Sequence, residues 1–112
     1  MTPEEVLDLA RALQSIGSET AHRSAVSRAY YAVYHHLRVV AESRVGFVGT
    51  GTADDHALVM AAVQLFDAPA ADWLRYLRFR RNQADYDLGG RFPASISEQS
   101  LNIGVRLLAI EP

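Results

Sequence analysis

The 112-residue chain is 49% apolar, has a net charge of −2, and carries eleven basic residues that are all Arg, with no Lys and no Cys. A chain of this length makes one domain, 1–112, and buries roughly two-thirds of its unfolded surface, so its modest core would gain from self-association. Disulfides, Cys zinc sites, thiol nucleophiles and iron–sulfur clusters are excluded, and the near-neutral charge gives no global field for nucleic acid or membranes.

The start, Met1-Thr2-Pro3-Glu4-Glu5, is acidic where a signal peptide would be basic. No apolar run nears the ~20 residues of a membrane helix, so a soluble, cytoplasmic protein is expected. Arg in place of Lys is also what a GC-rich genome produces.

Thr2 is set to cap a first helix, with Pro3 at its first position and Glu5 completing a capping box. Val6, Leu9, Ala10, Leu13 and Ile16 repeat at three and four, which predicts one apolar face ending at Gly17-Ser18. A second helix is predicted from about His22 to Arg44. Its main stripe is Val26, Ala29, Tyr30, Val33, Leu37 and Val40. Arg28, Tyr31, Ala32 and His35 form a second, more polar stripe, so this helix is expected to face two neighbours.

Val45 to Ala53 holds Gly46, Gly49 and Gly51. No Lys follows the last glycine and no strand precedes the first, so the phosphate-loop patterns fail and a flexible connector is expected. Thr52, Asp54 and Asp55 then supply a cap and first-turn acids for a third helix, with Leu58, Val59, Ala62, Leu65 and Phe66 as its face. Asp67 and Pro69 start a fourth helix running to about Leu88, where Gly89 and Gly90 stop it. Ser95 and Glu98 form a second capping-box pattern, opening a fifth helix to about Ile110. Val39-Val40 and Phe47-Val48 are too short for strands. The expected fold class is all-α, with short connections favouring an antiparallel up-and-down bundle of four to five helices.

The fourth helix carries the most informative segment. Positions 74, 77, 81, 84 and 88 make a seam of Leu and Ala with Arg81 in its middle, and Phe79, Asn82 and Tyr86 lie on the adjacent face. A guanidinium in a seam needs a carboxylate, a cavity or a ligand. Two readings stand side by side: Arg81 pairs with Asp85 at i, i+4 or snorkels to water, or it serves an anion. Arg75, Arg78 and Arg80 crowd the same stretch, and four Arg interleaved with aromatics form a local RNA or phosphate footprint. Such a run is also what a solvated helix face looks like.

Of the four histidines, His35 and His36 are adjacent and point to different sides of a helix, and no His pairs with His or Glu at i, i+4, so no metal site is expected. His35 shares a row with Arg28 and Tyr31, which makes it a candidate base or phosphate ligand, or a hydrogen-bonded, partly buried residue. His56, near a helix start, reads as a surface or capping residue.

Arg23-Ser24-Ala25-Val26-Ser27-Arg28-Ala29-Tyr30-Tyr31-Ala32-Val33-Tyr34-His35 resembles the first signature helix of HEPN (higher eukaryotes and prokaryotes nucleotide-binding) domains. Leu77-Arg78-Phe79-Arg80-Arg81-Asn82-Gln83-Ala84-Asp85-Tyr86-Asp87 resembles their second. The likeness spans nearly the whole chain and is closest to small stand-alone prokaryotic HEPN proteins ending in Arg-Asn-x-Ala-Asp-Tyr. It implies a helical bundle that dimerises through helices two and four, in a defence or toxin–antitoxin module, acting on or binding RNA. In the RNase members an Arg, the polar residue after it and a His a few residues on form a metal-independent site, paired across the dimer. The Arg stabilises phosphorane charge and the His moves a proton.

Arg81 and Asn82 match the first two parts, and Tyr86 stands where the His would be. A phenol ordinarily titrates near ~10, so it is a weak base at neutral pH but can donate a hydrogen bond or stack on a nucleobase. The resemblance therefore implies a candidate site of Arg81, Asn82 and Tyr86, with His35 as a substitute base if folding brings it near. Arg28, Tyr31, Arg75, Arg78 and Arg80 are the expected RNA or phosphate contacts, with no cofactor. The alternative is a non-catalytic module, binding nucleotides or docking to a nucleotidyltransferase-type antitoxin. A third reading is a plain helical assembly domain in which Arg81 forms only interface ion pairs.

Overall fold

The computed structural model describes residues 1–112 as five helices with no strand: α1 (Pro3–Ile16), α2 (Glu19–Val45), α3 (Asp55–Gln64), α4 (Ala68–Tyr86) and α5 (Ala94–Leu108). None of them is long and apolar enough to cross a membrane.

The capping box that opens α1 forms as expected: Glu5 N–H donates to Thr2 Oγ1 at 3.1 Å and Thr2 N–H to Glu5 Oε2 at 3.3 Å. Gly17 ends α1 in the left-handed region (φ 89°), where a side chain would be strained. Ser18 Oγ immediately caps the next helix by accepting from Ala21 N–H, so α2 begins at Glu19 rather than about His22. One short turn thus serves both helices.

The 27 residues of α2 span ~40 Å at 1.5 Å per residue, which matches the 40 Å long axis of the molecule. It is the helix on which all the others pack. All six residues of its expected main stripe are buried, with Val26, Ala29, Val33, Leu37 and Val40 fully so. Tyr30, Val33, Tyr34, Leu37 and Val40 form the main core with Val59, Met60 and Val63 of α3, Leu74 and Leu77 of α4, and Ile103 and Leu107 of α5. Val6, Leu7 and Ala10 of α1 pack on Ala29, Ala32 and Leu101 in a second cluster.

Several boundaries and faces differ from the sequence expectation. Leu9 and Ile16 are exposed and Leu7 is buried, because α1 rests on both α2 and α5 and Leu7 packs against the bare backbone of Gly104. In α3, Met60 and Val63 are buried while Leu58 and Leu65 are exposed; the helix stops at Gln64, before the apolar pattern does. Ser95 does not cap α5. The helix starts at Ala94 behind Pro93, with no side-chain cap, and Ser95 lies inside the first turn. α4 stops at Tyr86, so Leu88 leaves the seam and lies exposed.

The early end of α4 has a visible cause. Arg23 of α2 is buried, and its Nη1 donates to the carbonyls of Gln83, Ala84 and Asp87 at 3.2, 3.0 and 2.9 Å. Its Nη2 donates to Gly90 O at 2.7 Å. One guanidinium from another helix therefore satisfies Ala84 O at the helix end, adds a second donor to Gln83 O, and ties in the carbonyls of Asp87 and Gly90 beyond the helix.

The glycine connector is also held more firmly than a flexible link. Asp55 is buried, and its carboxylate accepts from Thr50 N–H (2.7 Å), Thr50 Oγ1 (2.7 Å) and Gly51 N–H (3.0 Å). The amides that a phosphate loop would offer to a ligand are thus used by the chain's own carboxylate.

Candidate functional site

α2 and α4 run antiparallel in close register. Rising along α2, Arg23 meets the 83–87 turn, Ser27 Oγ donates to Asp85 Oδ2 at 3.1 Å, and the Tyr30 ring lies 5.9 Å from the Arg81 guanidinium carbon. Arg23, Ser27, Tyr30 and Tyr34 follow one another at four, three and four residues, so a single helical row supplies both the clamp and one wall of a cleft.

That cleft, about 410 Å³, is lined by Ser27, Arg28, Tyr30, Tyr31, Tyr34 and His35 of α2, His56 of α3 and Arg81 of α4. The volume falls within the range of small-molecule sites. Arg81 and His35 therefore do line one cavity. Arg81 is also paired: its Nε lies 3.1 Å from Asp85 Oδ2 and its Nη1 donates to Asn82 Oδ1 at 3.0 Å. The expected i, i+4 ion pair and the expected cleft coexist. No partner within the chain takes Arg81 Nη2, and no unpartnered side-chain nitrogen or oxygen is buried, so this group reaches solvent.

The aromatic wall is continuous. The His35 ring lies 4.3 Å from Tyr31 and 5.1 Å from Tyr34, and His56 stacks on Tyr34 at 4.3 Å. Tyr30 OH meets His56 Nδ1 at 2.6 Å. Arg28 sits over Tyr31, 4.8 Å from the ring centre. Burial pushes Tyr30 up to about 12 against the pull of Arg78 and Arg81, and burial also raises Tyr34. Both histidines move the other way. Burial, then Arg38, lowers His35; burial, then Arg78, Arg81 and His35, lowers His56. At neutral pH the cleft thus presents neutral imidazoles and protonated phenols beside permanently charged guanidinium groups.

The remaining sequence candidates are divided. Arg78 is half-buried and acts on Tyr30, Tyr34 and His56 from the cleft side of α4. Arg75 is exposed and paired with Asp72 at 2.9 Å. Arg80 donates to Tyr76 OH (3.0 Å) and Gln83 Oε1 (2.9 Å) beside a different, larger groove of about 790 Å³ between α4 and α5. That groove includes Trp73, Ile96, Glu98, Gln99, Ile103 and Arg106 and has no His or Tyr in its lining. The four clustered arginines do not make one footprint. Asn82 and Tyr86 are exposed on the outer side of α4. The Tyr86 ring is 5.6 Å from the Arg81 guanidinium carbon but is not part of the cleft lining.

His56 is the site residue that sequence reasoning misses, together with Tyr34. Its place in the first turn of α3 reads as a capping position, and only the packing of α3 on α2 turns it into the cleft. The i, i+4 repeat of Tyr30 and Tyr34 was the available signal for the wall; nothing local marks His56. No three His, Asp or Glu side chains come together as ligands for a metal ion. No family model matches the chain, and no curated protein or solved structure matches it.

Proposed function

We propose that the chain is a HEPN-like protein of a prokaryotic defence or toxin–antitoxin module that acts on or binds RNA. In this reading its helices form an up-and-down bundle that dimerises through α2 and α4. The observation that carries it is Arg81, whose free Nη2 opens onto a cleft holding His35 and three tyrosines. A guanidinium suits phosphate recognition and the charge that builds on phosphorus during attack by a 2′-hydroxyl, while the tyrosine faces suit nucleobases.

Purified protein in chelator should retain or degrade RNA, and Arg81→Ala should abolish this. Unchanged activity in that variant refutes the proposal. Size measurement should show a dimer, and a strict monomer refutes dimerisation through α2 and α4.

The second reading is a non-catalytic module that binds nucleotides or docks to a nucleotidyltransferase-type antitoxin. It is favoured by Tyr86, which is 72% exposed, outside the cleft, and stands where the resembling motif has its His. Nucleotide calorimetry and co-purification with the neighbouring gene product test it. RNA cleavage by the pure protein rules out its non-catalytic form.

A further inference from the structure

The cleft holds a second nitrogen that the resemblance does not account for. His56 lines it from α3, on an element outside both motif-like segments. Tyr30 OH and His56 Nδ1 lie 2.6 Å apart, and with the hydroxyl as donor the imidazole hydrogen sits on Nε2. His56 Nε2 has no partner in the chain and is not among buried unpartnered atoms, so it opens to solvent. Arg81 Nη2 is free in the same cavity, and Tyr30 touches both residues. Two unused donors, one neutral and directed and one charged, therefore share one small cavity.

We propose that His56 and Arg81 together bind a phosphoryl group, with His56 Nε2–H and Arg81 Nη2–H each donating to a phosphoryl oxygen and Tyr30 fixing the His56 ring for that task. The groups around the imidazole favour an anion. From α2 come Tyr30, Tyr34 and His35, from α3 Asp55, and from α4 Arg78 and Arg81. Asp55 is taken up by Thr50 and Gly51. Arg28 and Arg81 line the cleft, and Arg38 and Arg78 act on its histidines from beside it, against two carboxylates, Asp55 and Asp85. Burial, then Arg78 and Arg81, disfavours the charged imidazole, and an arriving anion offsets the arginines, so binding is linked to proton uptake on the ring.

The proposal rests on the RNA reading for the source of the phosphate but not for the site itself. Its test is histidine-selective nitrogen NMR of the full chain, titrated with inorganic phosphate, with a diribonucleoside monophosphate, and with acetate at matched ionic strength. In the free protein His56 should be the Nε2–H tautomer. Both phosphates should raise its midpoint by about one unit. His22 and His36, bonded to Ser97 Oγ and the Ile110 carbonyl, should stay still as internal controls. Arg81→Gln should weaken phosphate about tenfold, the loss expected for one charge-assisted hydrogen bond. Tyr30→Phe should mix the His56 tautomers, and His56→Gln, which keeps a donor near Nε2, should hold phosphate better than His56→Ala.

A His56 signal that moves with phosphate in a protein that retains no RNA upholds this site and refutes the RNA reading. RNA retention that needs Arg81 but leaves His56 unmoved, with His56→Ala unchanged, overturns this site and spares the RNA reading. An equal response to acetate overturns its assignment to phosphoryl groups.

Discussion

Arg23→Ala should be among the most destabilising single changes in the chain. The guanidinium is 9% exposed and ties four carbonyls from Gln83 to Gly90, with Phe92 stacked 4.9 Å beneath it. Only the bond to Ala84 O is fully buried. Removing its donor strands an acceptor at about 2 kcal/mol. The three part-buried carbonyls can recover water, and each loses about 0.5 kcal/mol. The cation–π contact adds about 0.5–1 kcal/mol. The sum, about 4 kcal/mol, is a large share of the 5–15 kcal/mol that about covers an ordinary domain's stability. Urea unfolding followed by circular dichroism should show this loss with little change in slope, and the melting temperature should fall by about 15 °C or more. Arg23→Lys keeps the charge but loses the planar fork, so it should fall about midway. In that variant, amide exchange should quicken at 83–87 ahead of the rest of α4. A loss below about 1 kcal/mol for Arg23→Ala would refute the view that this side chain caps α4.

Asp85→Asn should free Arg81 from its partner. Both side chains are 30% exposed, so stability should change by less than about 1 kcal/mol while RNA retention, read by fluorescence anisotropy, weakens because Arg81 loses the group that orients it; tighter retention would mean that Asp85 competes with the ligand for Arg81 instead. Gly104→Val should cost about 1–3 kcal/mol, because even a Cβ there would lie 3.0 Å from Leu7 Cδ1 and α1 has to shift, which thermal melts will show. Acid should destabilise the protein in two stages. His35 and His56 have folded values below their ordinary 6.5, so the unfolded chain binds more protons and stability falls as pH drops from about 6.5 through those lowered values. The Asp55 carboxylate, held below its ordinary 3.8 chiefly by the Thr50 hydroxyl, contributes stability above that pH which is lost on further acidification. Melts across pH should lose the upper stage in a His35→Asn/His56→Asn double variant and the lower one in Asp55→Asn.

What the sequence made readable follows from how local each signal is. The α1 capping box, the Gly17 stop, the Asp67 cap and the α2 stripe are set within a turn or two of chain, and each is found where expected. Ser95 and Glu98 have the same spacing as a capping box, yet the helix starts at Ala94 behind Pro93, two residues before a Ser95 cap would start it. Face assignments fail where a helix meets two neighbours, as Leu7 and Leu9 show, because one stripe cannot report two contact directions. Arg81 was legible as a charge in a seam, and its Asp85 partner lies one turn away in sequence. His56 and the Arg23 clamp were not, since their partners lie 26 and about 60 or more residues away.

The Arg23–Ser27–Tyr30–Tyr34 row joins stability to the site. Arg23 fixes where α4 ends, Ser27 holds Asp85, and Asp85 holds Arg81 against the Tyr30 wall, while Tyr30 also fixes His56. Every link except the Asp85–Arg81 pair, which lies within α4, has one end on α2, so the Arg81 side and the His56 side of the cleft share one reference helix. A cleft built in this way needs little ordering when a ligand arrives, because its donors are positioned by contacts the fold already makes. The same economy makes it fragile: a change at Arg23 acts on the capping of α4 and, through Asp85, on the geometry of Arg81. Loss of function there would accompany loss of stability, whereas Asp85→Asn separates them, and this contrast distinguishes a cleft tuned for a ligand from an ion pair kept only for packing.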